Sequence, residues 1–154
     1  MSAAERGSPL GGDGRVVRLG EATAPGEPFL AGDEVVVTER RGRDSVVAAV
    51  NLASGGRRLL SPPGERAAVV NVISRGETVT YTTRGRGGRL SLWRVPAAGG
   101  TRTLLDRFEP GQTVVAVDAS GRRALVSGPD PAAGEAPGAP VVLRDVVLAA
   151  ALDL

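Results

Sequence analysis

Apolar residues in this chain fall into short runs rich in valine and leucine, and most runs are bounded by glycine, proline or serine. The run from Thr78 to Thr83 is the clearest, because Val79 and Tyr81 alternate there with threonines. A period of two places successive side chains on opposite faces of a sheet, so it predicts a strand. Further strands are predicted over residues 15–19, 35–39, 46–52, 57–61, 67–74, 90–95, 101–106, 113–117 and 123–127.

The runs recur at a nearly fixed distance along the chain. Residues 32–60 align with residues 76–105, so that Val35 corresponds to Val79, 44 positions later. A third and less regular copy follows, in which Gly121 lies 45 positions after Gly76. A strand-rich period of about 40–50 residues is typical of β-propeller blades, each of which is a small antiparallel sheet. The pattern therefore predicts an all-β fold built of β-propeller-like blades.

Three units follow from this period, over residues 29–72, 73–116 and 117–154. A closed propeller usually needs about four to eight blades. We therefore predict an incomplete propeller, which is a fragment of a longer propeller or closes by association, with a β-sandwich or an open barrel as alternatives. Isolated blades leave strand edges and apolar faces uncovered, so we expect a protein partner or self-association through those surfaces.

The segments around these units differ in composition. Residues 1–14 are mostly small and polar, and they are predicted to form a flexible leader before a repeat region over residues 15–127. Residues 128–140 contain four prolines and three glycines and are predicted to form a loop. Residues 141–154 are rich in leucine, valine and alanine, which fits either a terminal strand or a short helix.

Neither end of the chain has the pattern of a membrane or export segment. The first 14 residues lack the apolar core of a signal peptide. The apolar C-terminal run is interrupted by Arg144, Asp145 and Asp153, and it is too short to span a bilayer. We expect a cytoplasmic protein without a membrane partner; a periplasmic or extracellular location is expected only if the chain belongs to a longer exported protein.

The composition excludes the common forms of nucleophilic and metal chemistry. The chain has no Cys and no His, and all 19 of its basic residues are Arg, which together with abundant Ala, Gly and Pro indicates a high-GC bacterium. Without His, Cys or Lys, neither the Ser-His-Asp triad, the Cys-His pair, the Ser-Lys dyad nor the usual zinc ligand sets can be assembled. We therefore predict that the protein is not an enzyme and has no catalytic, cofactor-binding or metal-binding residues.

Paired carboxylates are the remaining catalytic possibility, because two acidic side chains suffice for glycoside hydrolysis. The nearest cluster is Asp33, Glu34 and Glu39. Their position at the entry of a predicted hairpin favours a solvated turn over a catalytic pair.

Arginines are concentrated in the predicted hairpin turns of the first and second units. Stacked blades would bring the two turns to one rim, where guanidinium groups could bind the phosphates of a nucleic acid. Only four aromatic residues are present to stack on bases, and Trp93 is predicted to lie between blades, so a solvated rim is the favoured interpretation. The possible binding rim consists of Arg40, Arg41, Arg43, Arg84, Arg86 and Arg89.

The second unit has a recognisable order of elements. A turn at residues 74–77 precedes the strand at 78–83, a strand containing Trp93 follows at 90–95, and a Gly-Gly turn at 98–100 leads to a short strand with paired leucines. This order resembles the blade of TolB-like and WD-type bacterial β-propeller repeats.

The resemblance covers residues 29–127 and implies a partial propeller. Because propellers of this type also occur attached to hydrolases of the prolyl-oligopeptidase type, it further implies that the chain could be an accessory propeller domain or a fragment of such an enzyme. The leading hypothesis is a non-enzymatic, β-propeller-like binding or scaffold module whose ligand is unknown. Nucleic-acid binding by the arginine-rich rim is the second alternative.

Overall fold

The computed structural model describes residues 28–129, 134 and 143–149. The leader predicted at residues 1–14 and the strand predicted at residues 15–19 lie outside the described residues.

The described residues form eleven strands in three antiparallel sheets, which confirms the predicted all-β fold. Within each sheet the strands lie side by side in chain order. The first sheet contains β1 (Phe29–Ala31), β2 (Glu34–Arg41), β3 (Asp44–Asn51) and β4 (Arg57–Leu59). The second contains β5 (Ala67–Ile73), β6 (Thr78–Arg84), β7 (Leu90–Pro96) and β8 (Thr103–Phe108). The third contains β9 (Thr113–Val117), β10 (Arg123–Ser127) and β11 (Leu143–Val147).

The second sheet begins one strand earlier than the sequence units predict. The unit boundaries place β5 in the first unit, whereas β5 pairs with β6, with Val72 opposite Val79. A short 3-10 turn at Ser74–Gly76 reverses the chain between these strands. The unit boundary after residue 116 likewise falls inside β9. The boundaries differ because the local apolar pattern identifies a strand but not the strand that it pairs with.

Positions aligned in the sequence occupy matching places in the first and second sheets. Val35 lies opposite Val50, and their counterparts Val79 and Val95 also lie opposite each other. Val79 and Val95 pack in the core between the first and second sheets, whereas Val35 and Val50 belong to a buried cluster on the other face of the first sheet. Each pair therefore lies on the face of its sheet that points away from the sheet that follows it in the chain.

Two buried clusters of apolar side chains hold the sheets together. Each valine, leucine or phenylalanine among them stabilises the fold by about 1.5–3 kcal/mol when it is fully removed from water. Between the first and second sheets lie Ala31, Val36, Val47, Ala49, Val79, Tyr81 and Val95. Between the second and third sheets lie Leu90, Leu92, Leu105, Phe108, Val114, Val117, Ala124, Val126 and Leu148.

The third sheet has one exposed face. Ala124 and Val126 of β10 point toward the second sheet. On the opposite face, Leu143 and Val147 of β11 are 61% and 56% exposed, and Val115 of β9 is 48% exposed. The corresponding faces of the first and second sheets are covered by the sheet that follows each of them.

The C-terminal segment contains the strand that was one of its two predicted alternatives. Leu143–Val147 pair with β10 in antiparallel register. Of the loop predicted over residues 128–140, only residues 128, 129 and 134 are described. Within the described part of the chain, no helix has the length and apolar character needed to cross a membrane.

Candidate functional site

An open cleft lies at one end of the first and second sheets, where the start of β3 approaches the turn between β6 and β7. Its volume is about 580 Å³. The charged residues that line the cleft are Asp44, Glu65, Arg66, Arg84 and Arg86. The rest of the lining consists of glycines and small polar residues, so main-chain atoms are accessible there.

Hydrogen bonds to the main chain hold the floor of the cleft between the two sheets. The Arg84 amide donates to the Arg66 carbonyl at 3.0 Å, which continues the antiparallel pairing of β5 with β6. The Ser45 amide donates to the Glu65 carbonyl at 2.9 Å, and the Ser45 hydroxyl donates to the Ala67 carbonyl at 2.6 Å. The connection between the sheets is therefore fixed to both of them.

Arg102, in the connection between β7 and β8, neutralises one of the two acidic side chains of the cleft. Its Nη1 and Nη2 atoms each lie 3.0 Å from a carboxylate oxygen of Glu65. The same guanidinium donates to the Tyr81 hydroxyl at 3.3 Å and lies 3.8 Å from the ring centroid of Trp93. Trp93 also packs against the core between the first and second sheets, as predicted, and Arg102 covers its ring face.

Burial and hydrogen bonding shift the ionisation of this cluster. Burial raises the pKa of Tyr81 above its ordinary value of 10.0, and the hydrogen bond and positive charge of Arg102 offset only part of that effect. Burial lowers the pKa of Arg102, but its hydrogen bonds with Glu65 and Tyr81 outweigh burial and leave that pKa raised. At neutral pH the phenol is therefore neutral and the guanidinium charged.

The chain has one tyrosine, so a spectroscopic titration of phenolate reports on Tyr81 alone. We expect the pKa of Tyr81 in the folded protein to lie above 10.0 because of its burial. The stability that the neutral phenol contributes is fully present below the unfolded-state pKa, and it is lost as the pH rises through the folded-state pKa. The substitution Arg102→Gln removes a positive charge and should raise the pKa further. Titration of the folded protein at or below the ordinary value would contradict the described packing.

The arginines of the predicted binding rim fall into three groups. Arg84 and Arg86 line the cleft. Arg89 forms an exposed ion pair with Glu109, with 3.2 Å between Nη2 and Oε1. The other three are exposed at the end of β2 and in the turn that follows it: Arg40, Arg41 and Arg43.

Sequence reasoning missed several residues of the cleft and its surroundings. Arg66 lies outside both predicted hairpin turns, and the ion pair between Glu65 and Arg102 joins residues that are far apart in the chain. Pairing of β5 with β6 would have placed Arg66 opposite Arg84. Arg66 could therefore have been found only if β5 had first been assigned to the second sheet.

The acidic cluster considered for glycoside chemistry is divided between separate ion pairs. Glu34 lies 2.7 Å from Nη2 of Arg58, and Glu39 pairs with Arg57. The two glutamates are five positions apart on one strand, a distance of roughly 16 Å, whereas glycosidase carboxylates lie about 5–9.5 Å apart. The prediction of a solvated turn fits Asp33, which is exposed, and is wrong for Glu39, which is buried within β2.

The aromatic side chains are poorly placed for stacking on nucleic-acid bases. Tyr81 and Phe108 are buried, and Phe29 and Trp93 are half-buried. The rim arginines therefore have no exposed aromatic ring beside them, and any nucleic-acid contact there would rely on phosphate groups alone.

The described residues form three antiparallel sheets that pack face to face in chain order, which defines a β-propeller-like fold. No family model and no curated protein matches the sequence. The crystal structure of TolB from Acinetobacter baumannii is similar, with a TM-score of 0.52 and 15% identity over 79% of this chain. An acylaminoacyl peptidase from Pyrococcus horikoshii matches 67% of this chain and 17% of its own length, with a TM-score of 0.48 and 14% identity.

The similarity to TolB confirms the predicted β-propeller-like fold, and it confirms the resemblance to TolB-like repeats at the level of the fold. The chain spans 30% of the length of that TolB chain. This fraction agrees with an incomplete set of blades.

Proposed function

We propose that this chain is a non-enzymatic binding or scaffold module that associates with a second protein chain through the exposed face of its third sheet. Two features support a role without catalysis. The chain lacks His, Cys and Lys, and Glu34 and Glu39 are held in separate ion pairs. The observation that carries the proposal is the uncovered apolar face at the end of an otherwise tightly packed stack.

The exposed face combines apolar side chains with one ion pair. Leu143, Asp145 and Val147 of β11 share this face, and they lie opposite Ser127, Leu125 and Arg123 of β10. Arg123 and Asp145 form an exposed ion pair, with 2.6 Å between Nη2 and Oδ2. The exposed apolar side chains therefore lie around this ion pair, and an exposed apolar patch with polar groups beside it is typical of a protein-binding surface.

A second copy of the chain is the occupant that the surface favours. Stacking the third sheet of one copy on the first sheet of another would need a free face there, but Val35, Val37 and Val50 of that face are buried. A two-fold contact between the third sheets of two copies avoids this obstacle, because both copies use the same patch. The Arg123–Asp145 pair suits that symmetry, since each copy offers one positive and one negative group.

Light scattering after size-exclusion chromatography tests the proposal. We expect a mass of twice 15.7 kDa at high protein concentration. The substitution Leu143→Asp places a charge in the contact and should restore the monomer. Leu30→Asp is the matched control, because Leu30 is 73% exposed on the first sheet and should not affect the dimer. A monomer at every concentration, or equal effects of the two substitutions, would refute the proposed contact.

An accessory propeller domain of a larger hydrolase of the prolyl-oligopeptidase type stays the alternative prediction. The three described sheets and the 30% coverage of the TolB chain favour a larger propeller, although they do not identify a hydrolase. The mass of the native gene product separates the two functions. A product much larger than 15.7 kDa that reacts with a serine-hydrolase probe would favour the alternative.

A further inference from the structure

Two arginines lie directly opposite each other on neighbouring strands at the floor of the cleft. The amide of Arg84 donates to the carbonyl of Arg66, so these residues extend the β5–β6 register by one position. Opposed side chains of an antiparallel pair leave the sheet on the same face, with Cβ atoms about 4.5–5.5 Å apart. Like charges in such a pair destabilise the sheet. Arg86, in the following turn, adds a third guanidinium to the same lining.

These guanidinium groups are not neutralised by the acidic residues of the cleft. Among the described residues, no acidic side chain forms an ion pair with any of the three arginines. Arg84 donates through Nη1 to the carbonyl of Gly88 at 3.1 Å. Glu65 is held by Arg102, which leaves Asp44 to oppose three positive charges. The lining therefore keeps a net positive charge.

We propose that the cleft binds an oxyanion group of a small ligand, a carboxylate or a phosphate, between Arg66, Arg84 and Arg86. A guanidinium presents parallel N–H donors that match the two oxygens of such a group. A bound anion would also relieve the repulsion between the opposed arginines. The volume of about 580 Å³ falls within the range of small-molecule sites. This surface is separate from the exposed face of the third sheet, so the inference does not depend on self-association.

Calorimetric titration of the full chain at low ionic strength tests the proposal, with inorganic phosphate and citrate as the two probes. We expect at least one probe to bind, and we expect added salt to weaken the binding. Binding of phosphate alone would identify a phosphorylated ligand, and binding of citrate alone would identify a carboxylate ligand. Absence of binding by both probes would overturn the proposal, even if an oligonucleotide bound.

Two substitutions locate the site. Arg66→Gln and Arg86→Gln each remove one guanidinium from an exposed side chain. Each should lower the affinity for the probe about tenfold through the loss of a charge-assisted hydrogen bond. Circular dichroism checks that the sheets are retained. Having two variants keeps the test valid if one of them fails to fold.

Arg122→Gln is the control for overall charge. Arg122 is exposed in the β9–β10 turn. Its neighbour Gly121 lies close to Ile73, and Ile73 is at the end of β5 opposite to Arg66, so Arg122 lies away from the cleft. We expect this variant to bind the probe as the unchanged protein does. Equal weakening by Arg122→Gln, or unchanged binding by both cleft variants, would show that the cleft is not the site.

Discussion

Replacing Tyr81 with alanine should lower the free energy of unfolding by about 3–5 kcal/mol, the range for removal of a large aromatic ring from a core. Tyr81 is 0% exposed and lies in the cluster that joins the first and second sheets. Its neighbours Val36 and Val79 belong to strands that are fixed by their own pairing, so they cannot close the cavity. Urea unfolding followed by the fluorescence of Trp93, the only tryptophan, measures the change.

Tyr81→Phe separates packing from hydrogen bonding at the same position. Phenylalanine keeps the ring but loses the hydroxyl that accepts from Arg102. We expect a loss of only about 1 kcal/mol, the net value of one hydrogen bond. If Tyr81→Phe were as harmful as Tyr81→Ala, the hydroxyl rather than the ring would be the main stabilising group, and the described core would need revision.

The second large effect is expected for Gly128→Ala, which should destabilise the protein by roughly 2–5 kcal/mol, the sum of a conformational cost and an overpacking cost. Gly128 has φ of 115°, a conformation that costs an L-residue about 1–2 kcal/mol. A Cβ atom there would also meet the Gly111 carbonyl oxygen and would lie 3.0 Å from Cα of Gln112. Both neighbours are main-chain atoms, so relieving the contact requires a backbone shift, with a cost of overpacking of about 1–3 kcal/mol.

Gly42→Ala is the matched control for the backbone conformation. Gly42 has φ of 63° in the β2–β3 turn, and a Cβ atom there would meet nothing within 4 Å. Only the conformational cost of about 1–2 kcal/mol is therefore expected. Thermal unfolding followed by circular dichroism compares the two variants. Equal losses would show that the close approach of Gly128 to the 111–112 segment is absent.

Much of the fold was predictable because alternation and turn residues are local properties. The strand at Thr78–Arg84 and the turns on either side of it follow from residues adjacent in the chain. Strand pairing was not predictable in the same way. Ala67–Ile73 has the same apolar character whichever sheet it joins, and only the hairpin at Ser74–Gly76 assigns it to the second.

The candidate site was predictable only in part, for the same reason. Arg84 and Arg86 stand out because they share one predicted turn. Arg66 becomes significant only through the strand that it opposes. The neutralisation of Glu65 by Arg102 depends on how the β7–β8 connection packs against the β4–β5 connection. No spacing in the sequence encodes that contact.

The two cores are separate, since the side chains between the first and second sheets share no member with those between the second and third. Stability in such an array is a sum of nearest-neighbour terms, and its cooperativity is limited by the weaker junction. For a single copy we therefore expect unfolding to have a direction. The third sheet packs against a neighbouring sheet on one face only, so it should detach before the first and second sheets separate.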